Sequence, residues 1–149
     1  MGNNTKRYAK QEPIFPIGVA AKMVGVWSST LRVYEAQGLM IPFKTKKMMR
    51  LFTEEDLEWI LYIRYLIKHE KLSVEGIRRI LSLIPCWKIM KCPVDERNSC
   101  AAYVTNDGPC WTLQNGNGTC DNECRSCEVY RGAKQAFDTK KMLSKFTNY

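Results

Sequence analysis

Residues 17–40 read "IGVAAKMVGVWSSTLRVYEAQGLM", and the spacing of small and apolar residues there decides the fold of the first half of the chain. Ile17, Ala20, Ala21 and Val24 recur at helical intervals and mark one face of an α-helix. Gly25 follows where a helix commonly closes on a left-handed residue, a conformation that glycine adopts without a Cβ penalty. Ser28 or Ser29 then offers a side-chain oxygen to cap a second helix, which carries Leu31 and Tyr34 and stops before Gly38. Two short helices joined by a tight glycine turn make a helix-turn-helix.

Working outward, "IPFKTKKMMRLF" at 41–52 alternates weakly around a basic tip and predicts a small hairpin wing. "TEEDLEWILYIRYLIKHEK" at 53–71 opens with Thr53 as an N-cap and three acids in the first turn, all favourable at the positive end of a helix. Its centre is apolar on nearly every face, which predicts burial from several sides or use as an interface. His69, the single histidine, falls in the last turn, where a cation suits the dipole. "LSVEGIRRILSLI" at 72–84 starts a further helix after Ser73, with Val74, Ile77, Leu81 and Ile84 as its inner stripe and Pro85 as its stop. Leu31, Leu39, Leu57, Ile60 and Ile77 are expected in the core.

Charge divides the chain in the same place. Residues 1–85 carry 14 Lys/Arg against 8 Asp/Glu, and residues 86–149 carry 9 against 7. The positive charge thus belongs to the first half and points there for a polyanionic partner. No stretch of about 18 uncharged apolar residues exists, so no membrane span is predicted. The N-terminus lacks the apolar core of a secretory signal, which predicts a cytoplasmic protein. No acid–base pair, nucleophile constellation or nucleotide loop is present, so no enzymatic reading is supported.

Taken together, residues 17–40, the wing ending in Arg50-Leu51-Phe52, the helix opener Thr53-Glu54-Glu55-Asp56 and "KLSVEGIRRIL" resemble a MerR-type winged helix-turn-helix domain over about residues 15–83. The resemblance implies that the second helix enters the major groove of double-stranded promoter or operator DNA while the wing touches flanking backbone. It also implies a homodimer and the transcription machinery as a further partner. The residues suit these roles. Ser28, Ser29 and Thr30 place small donors at a helix N-terminus, Arg32 can reach a phosphate or a guanine edge, and Tyr34 can donate its hydroxyl to phosphate. Lys44, Lys46, Lys47 and Arg50 form a cationic wing. Departures from the family pattern are Trp27 in place of a small capping residue, a wing tip "TKKMM" without glycine, Gly76 in place of a capping-box glutamate, and no counterpart of the long dimerisation helix. Trp27 is expected either to wedge toward DNA or to pack against the wing.

Beyond Pro85 the apolar periodicity fades and seven cysteines appear, at 86, 92, 100, 110, 120, 124 and 127. An odd number excludes complete internal pairing, and in a reducing compartment clustered thiols favour metal chemistry over disulfides. "TLQNGNGTCDNEC" at 112–124 has almost no apolar residues, so a covalent or metallic element must organise it. "CW" occurs at 86–87 and again at 110–111, an internal echo short of a repeat. The pattern from Cys86 to Tyr130 resembles the two-CW domain, a small cysteine-rich module of signalling and regulatory proteins.

The ligand set is read from spacing. "CDNECRSC" at 120–127 places Cys120, Cys124 and Cys127 as C-x3-C-x2-C, which can wrap adjacent irons of a cubane with a fourth thiolate from Cys86, Cys92, Cys100 or Cys110. Zinc prefers two separated C-x2-C-like pairs, and only Cys124–Cys127 has that form. An iron–sulfur cluster, [4Fe–4S], is therefore the expected cofactor, with zinc and a metal-free thiol switch as alternatives. Trp87 and Trp111 would shield such a centre or simply form a small core.

The expected fold class is mainly α: a flexible arm at 1–13, a MerR-like winged helix-turn-helix at 14–85, a small irregular cysteine-rich metal- or cluster-binding module at 86–130, and a C-terminal helix or tail at 131–149 using Ala133, Phe137, Leu143 and Phe146. The expected function is a DNA-binding transcriptional regulator that senses redox state or oxygen through its cluster. The alternative is a constitutive DNA-binding protein with a zinc-stapled dimerisation or partner-docking module.

Overall fold

The computed structural model describes residues 11–105, 107–113, 120, 123–138, 140, 141 and 144. The first ten residues of the arm, together with Leu143 and Phe146, lie outside the described residues. The chain divides into two compact units, Met1–Val74 and Glu75–Tyr149. The division falls ahead of Pro85, so the helix that precedes this proline groups with the cysteine-rich unit.

The first unit joins three α-helices to a small sheet. β1 (Phe15–Pro16) leads directly into α1 (Ile17–Val24), followed by α2 (Ser28–Ala36), β2 (Phe43–Lys44), β3 (Arg50–Phe52) and α3 (Glu54–Lys68). The sheet order is β1-β3-β2, antiparallel throughout, with Phe15 opposite Phe52 and Lys44 opposite Arg50. β1 was not expected: two residues, one of them proline, are too short to show a period of two. The core gathers Ala20, Ala21 and Val24 of α1, Leu31 and Tyr34 of α2, Leu39, Phe52, and Leu57, Ile60, Ile63 and Leu66 of α3.

Local chemistry explains the boundaries. Gly25 ends α1 at φ 70°, and its N–H returns to Lys22 at 3.2 Å. Thr53 and Asp56 form a reciprocal capping box at the start of α3: the Asp56 N–H donates to Thr53 Oγ1 at 3.0 Å, and the Thr53 N–H donates to Asp56 Oδ2 at 2.8 Å. His69 caps the other end and stacks on Tyr65, ring centroids 5.0 Å apart. One expectation is corrected. Neither serine caps α2: Trp27 holds the N-cap position with no side-chain cap bond, and the helix begins at Ser28.

The second unit is built of short pieces. α4 (Val74–Leu81) is followed by four helices of four residues each: α5 (Cys86–Ile89), α6 (Val94–Arg97), α7 (Ala101–Val104) and α8 (Cys110–Leu113). A 3-10 turn at Cys124–Ser126 leads into α9 (Glu128–Arg131), and a second 3-10 turn covers Ala133–Phe137 where a helix was expected. Among its described residues the buried apolar ones are Ile77, Leu81, Ile84, Pro109, Val129, Ala133 and Ala136. Arg78 donates to the Asp107 carbonyl, tying α4 to the loop ahead of α8. No helix among the described residues is long and apolar enough to cross a membrane.

Candidate nucleic-acid interface and thiol cluster

The helix-turn-helix is held rigid by a residue that sequence reasoning did not single out. Arg64, from α3, donates to the Val24 carbonyl at the end of α1, satisfying a helix-terminal acceptor. A Cβ on Gly25 would come within 3.1 Å of the same guanidinium. Gly25 thus suits its left-handed backbone, and a Cβ there would also oblige the Arg64 guanidinium to give way by a few tenths of an ångström. Trp59 adds a second tie, donating its indole N–H to the Leu39 carbonyl at 2.8 Å.

On α2 the predicted contact residues separate by exposure. Ser29 and Arg32 are exposed and Ser28 and Thr30 half-buried, whereas Tyr34 is only 5% exposed and belongs to the core. Burial raises the Tyr34 phenol above its ordinary range, and the charge of Arg64 pulls in the other direction. Trp27 is 81% exposed. Packing against the wing is thereby excluded, and a large apolar ring stands in solvent at the N-terminus of the helix.

The wing turns without glycine because Met48 takes a left-handed backbone, φ 63°. The Met48 N–H donates to the Thr45 carbonyl and the Thr45 N–H to the Met49 carbonyl, both at 2.9 Å, which closes the hairpin. Lys46 and Lys47 at its tip are exposed. Lys44 and Arg50 differ from them: both bind Glu35 of α2, Lys44 Nζ at 2.8 Å from Oε1 and Arg50 Nε on Oε2. Burial would raise the Glu35 carboxyl, but the bonds from Arg50 and Lys44 outweigh it and hold the group below the usual range. One carboxylate on α2 therefore pins both wing strands.

In the second unit all seven cysteines are half-buried and none forms a disulfide. Cys110 donates its thiol hydrogen to Cys86, which lowers Cys86 to about 7 and raises Cys110. Burial first, then the charges of Cys92, Cys127, Cys86 and Cys100, push Cys120 up to about 11. Cys127 Sγ lies 3.6 Å from Met90 Sδ. The thiols are thus close enough to influence one another, although among the described residues no three His, Cys, Asp or Glu side chains converge in a geometry that could hold one ion. Thiols are soft donors of the kind that thiophilic metals prefer, but the distances between these seven do not gather three of them around one point. Trp87 meets Tyr103 edge-on, and Trp111 meets Tyr130 in the same way.

Two short helices, the second crossing an exposed polar face beside a basic hairpin, define a winged helix-turn-helix. Residues 15–84 match the family described as MerR HTH family regulatory protein; this segment is a MerR-family regulatory domain. Three relatives illustrate the match. HspR of Streptomyces coelicolor is 31% identical over 80 residues, 54% of this chain and 53% of that protein. The HTH-type transcriptional regulator GlnR of Bacillus anthracis is 32% identical over 76 residues, 51% of this chain and 58% of that protein. The HTH-type transcriptional regulator ZntR of Escherichia coli is 38% identical over 71 residues, 47% and 50%. The chain spans about half the length of the curated relatives it matches.

Proposed function

We propose that this protein is a transcriptional regulator that binds operator DNA as a homodimer through its first unit and holds an iron–sulfur cluster through the thiols of its second. The observation that carries the DNA-binding part is the pairing of an exposed helix N-terminus with a basic wing on a MerR-family domain. Ser28, Ser29 and Thr30 supply donors to phosphate, and Arg32 reaches a base edge or phosphate. Lys46 and Lys47 track the flanking backbone. Trp27 faces the duplex. Lys44 and Arg50 contribute less charge than their number suggests, because Glu35 neutralises part of it. Tyr34 acts mainly by positioning the helix.

The cluster reading is supported by the gathering of Cys86, Cys92, Cys100, Cys110, Cys120, Cys124 and Cys127 in a unit with few apolar groups. A bound [4Fe–4S] centre would supply an oxidisable site whose loss signals oxygen or redox state. Trp87 with Tyr103, and Trp111 with Tyr130, would limit water around the sulfurs.

One purification tests both parts. The full chain is isolated without oxygen, its visible spectrum recorded, and iron, sulfide and zinc measured per chain. Iron with matching sulfide supports the sensor; one zinc per chain and no colour supports the stapled alternative. Binding to operator DNA is then compared before and after air oxidation. Equal affinity in both states would defeat the sensing mechanism while leaving DNA binding intact.

A further inference from the structure

Three of the four tryptophans work inside the protein. Trp59 donates its indole N–H to the Leu39 carbonyl at 2.8 Å. Trp87 and Trp111 meet Tyr103 and Tyr130 edge-on, with ring centroids 5.1 and 5.2 Å apart. Trp27 breaks this pattern: at 81% it is the most exposed large apolar side chain among the described residues. Its backbone, in contrast, is held on both sides. The Val26 N–H before it returns to the Ala21 carbonyl at 3.0 Å, and its own carbonyl accepts from Thr30 at 3.0 Å and Leu31 at 3.4 Å. Its φ of −82° and ψ of 151° are those of an extended N-cap, and its side chain makes no cap bond. The ring is thus carried into solvent on a fixed stem at the first turn of α2. An indole held in water forgoes the stabilisation of burial, and a partner that covers it gains that stabilisation without ordering the backbone first.

Charge selects the covering partner. Lys22 and Arg32, on either side of Trp27 in the chain, are exposed, as are Lys46 and Lys47 of the wing. A polyanion suits such surroundings, and the segment that holds all of them belongs to a family of DNA-binding regulators. The N-terminal residues of a recognition helix in the major groove meet base edges. Those edges display hydrogen-bond donors and acceptors and one kind of apolar group, the thymine C5-methyl. Ser28, Ser29, Thr30 and Arg32 answer the polar groups, and the carbon face of an indole answers the methyl. Stacking the indole on a base face would first require the duplex to be unstacked at that step, which costs energy. The methyl already stands on the groove surface.

We propose that Trp27 is a specificity-determining residue that reads a thymine of the operator through its 5-methyl group. The inference rests on the reading that α2 enters the major groove, and it adds to that reading the chemical group recognised there. Sequence preference then has an apolar source beside the hydrogen bonds of Arg32. In a homodimer the same thymine recurs in both half-sites.

The test removes the methyl without touching the protein. A duplex is selected from a random-sequence pool by the full wild-type chain. Each of its thymines is then replaced singly by deoxyuridine, which deletes the methyl and keeps the base pair. Wild type and Trp27→Ala are titrated with every duplex, at salt low enough for both to bind. At one thymine the replacement should weaken wild type about fourfold, the value of burying one methyl group, and leave Trp27→Ala unchanged. Each protein is compared with itself on two duplexes, so an unfolded fraction of the variant cancels. Equal loss in both proteins, or no loss in wild type at any thymine, overturns the proposal. A pool that yields no duplex removes the DNA-binding reading as well, whereas a selected duplex with indifferent methyls removes only the thymine contact.

Discussion

The two units solve the same folding problem with different materials. The first encloses Phe52, Leu31, Leu39, Ile60 and Ile63, all with no or almost no exposure, and buried apolar area of that kind stabilises a small domain by itself. Among its described residues the second buries Ile77, Leu81, Ile84, Pro109, Val129 and two alanines, and all seven of its cysteines are half-buried. The contrast teaches that a chain can change its source of stability partway along. Side-chain oil serves the first unit, and the second is proposed to draw on its thiols through a bound metal.

The largest effect expected from this contrast is on the second unit alone. Structural metal sites in small modules contribute on the order of 10 kcal/mol. If the second unit holds the proposed metal, stripping it under reducing conditions should abolish the near-ultraviolet circular dichroism of Trp87 and Trp111 while the helical signal of the first unit survives; unchanged spectra would defeat the metal reading. Next in size, Phe52→Ala should destabilise the first unit by about 3–5 kcal/mol in urea unfolding and leave metal per chain unaltered.

Smaller changes sharpen the first unit's side of the comparison. Arg32→Ala should weaken operator binding by about 1–3 kcal/mol in a titration at fixed salt, with no change in melting temperature. Glu35→Gln should loosen the wing at neutral pH at a cost of about 1 kcal/mol. Wild type should show the same loosening only in acid. The Glu35 carboxyl is depressed in the folded state, so its stabilisation is complete above the unfolded carboxylate value and is lost as pH falls through the lower folded value; amide spectra of residues 43–52 across an acid titration would report it. Smallest of all, Met48→Gly should stabilise the hairpin by about 0.5–1 kcal/mol, because methionine is strained at positive φ. A thermal melt suffices to see it.

Much of the first unit was legible in the sequence. Helical spacing located α1 and α2, Gly25 ended α1 as expected, and Thr53 capped α3 with the predicted acids following it. What escaped were relations across long separations. Arg64 reaches Val24 forty residues earlier in the chain, and nothing local to either position reports that bond. The serines at 28 and 29 satisfied a capping rule, yet the backbone placed Trp27 at the cap, because helix ends are set by the turn that precedes them as well as by side-chain preference. In the second unit the cysteines themselves were plain, but the matched arrangement of the two P-C-W segments was hidden. Cys100 follows Cys86 by 14 positions and Cys127 follows Cys110 by 17, unequal spacings that disguise a likeness the two edge-on Trp–Tyr pairs make visible.

Glu35 carries a mechanical consequence. By gripping Lys44 and Arg50 from α2, it fixes the jaw opening of a caliper: the helix cannot tilt without dragging both strands of the hairpin. A tool with a set gap measures what it touches, so under the proposed binding mode a duplex whose groove width does not suit that gap must either deform at an energetic cost or be released.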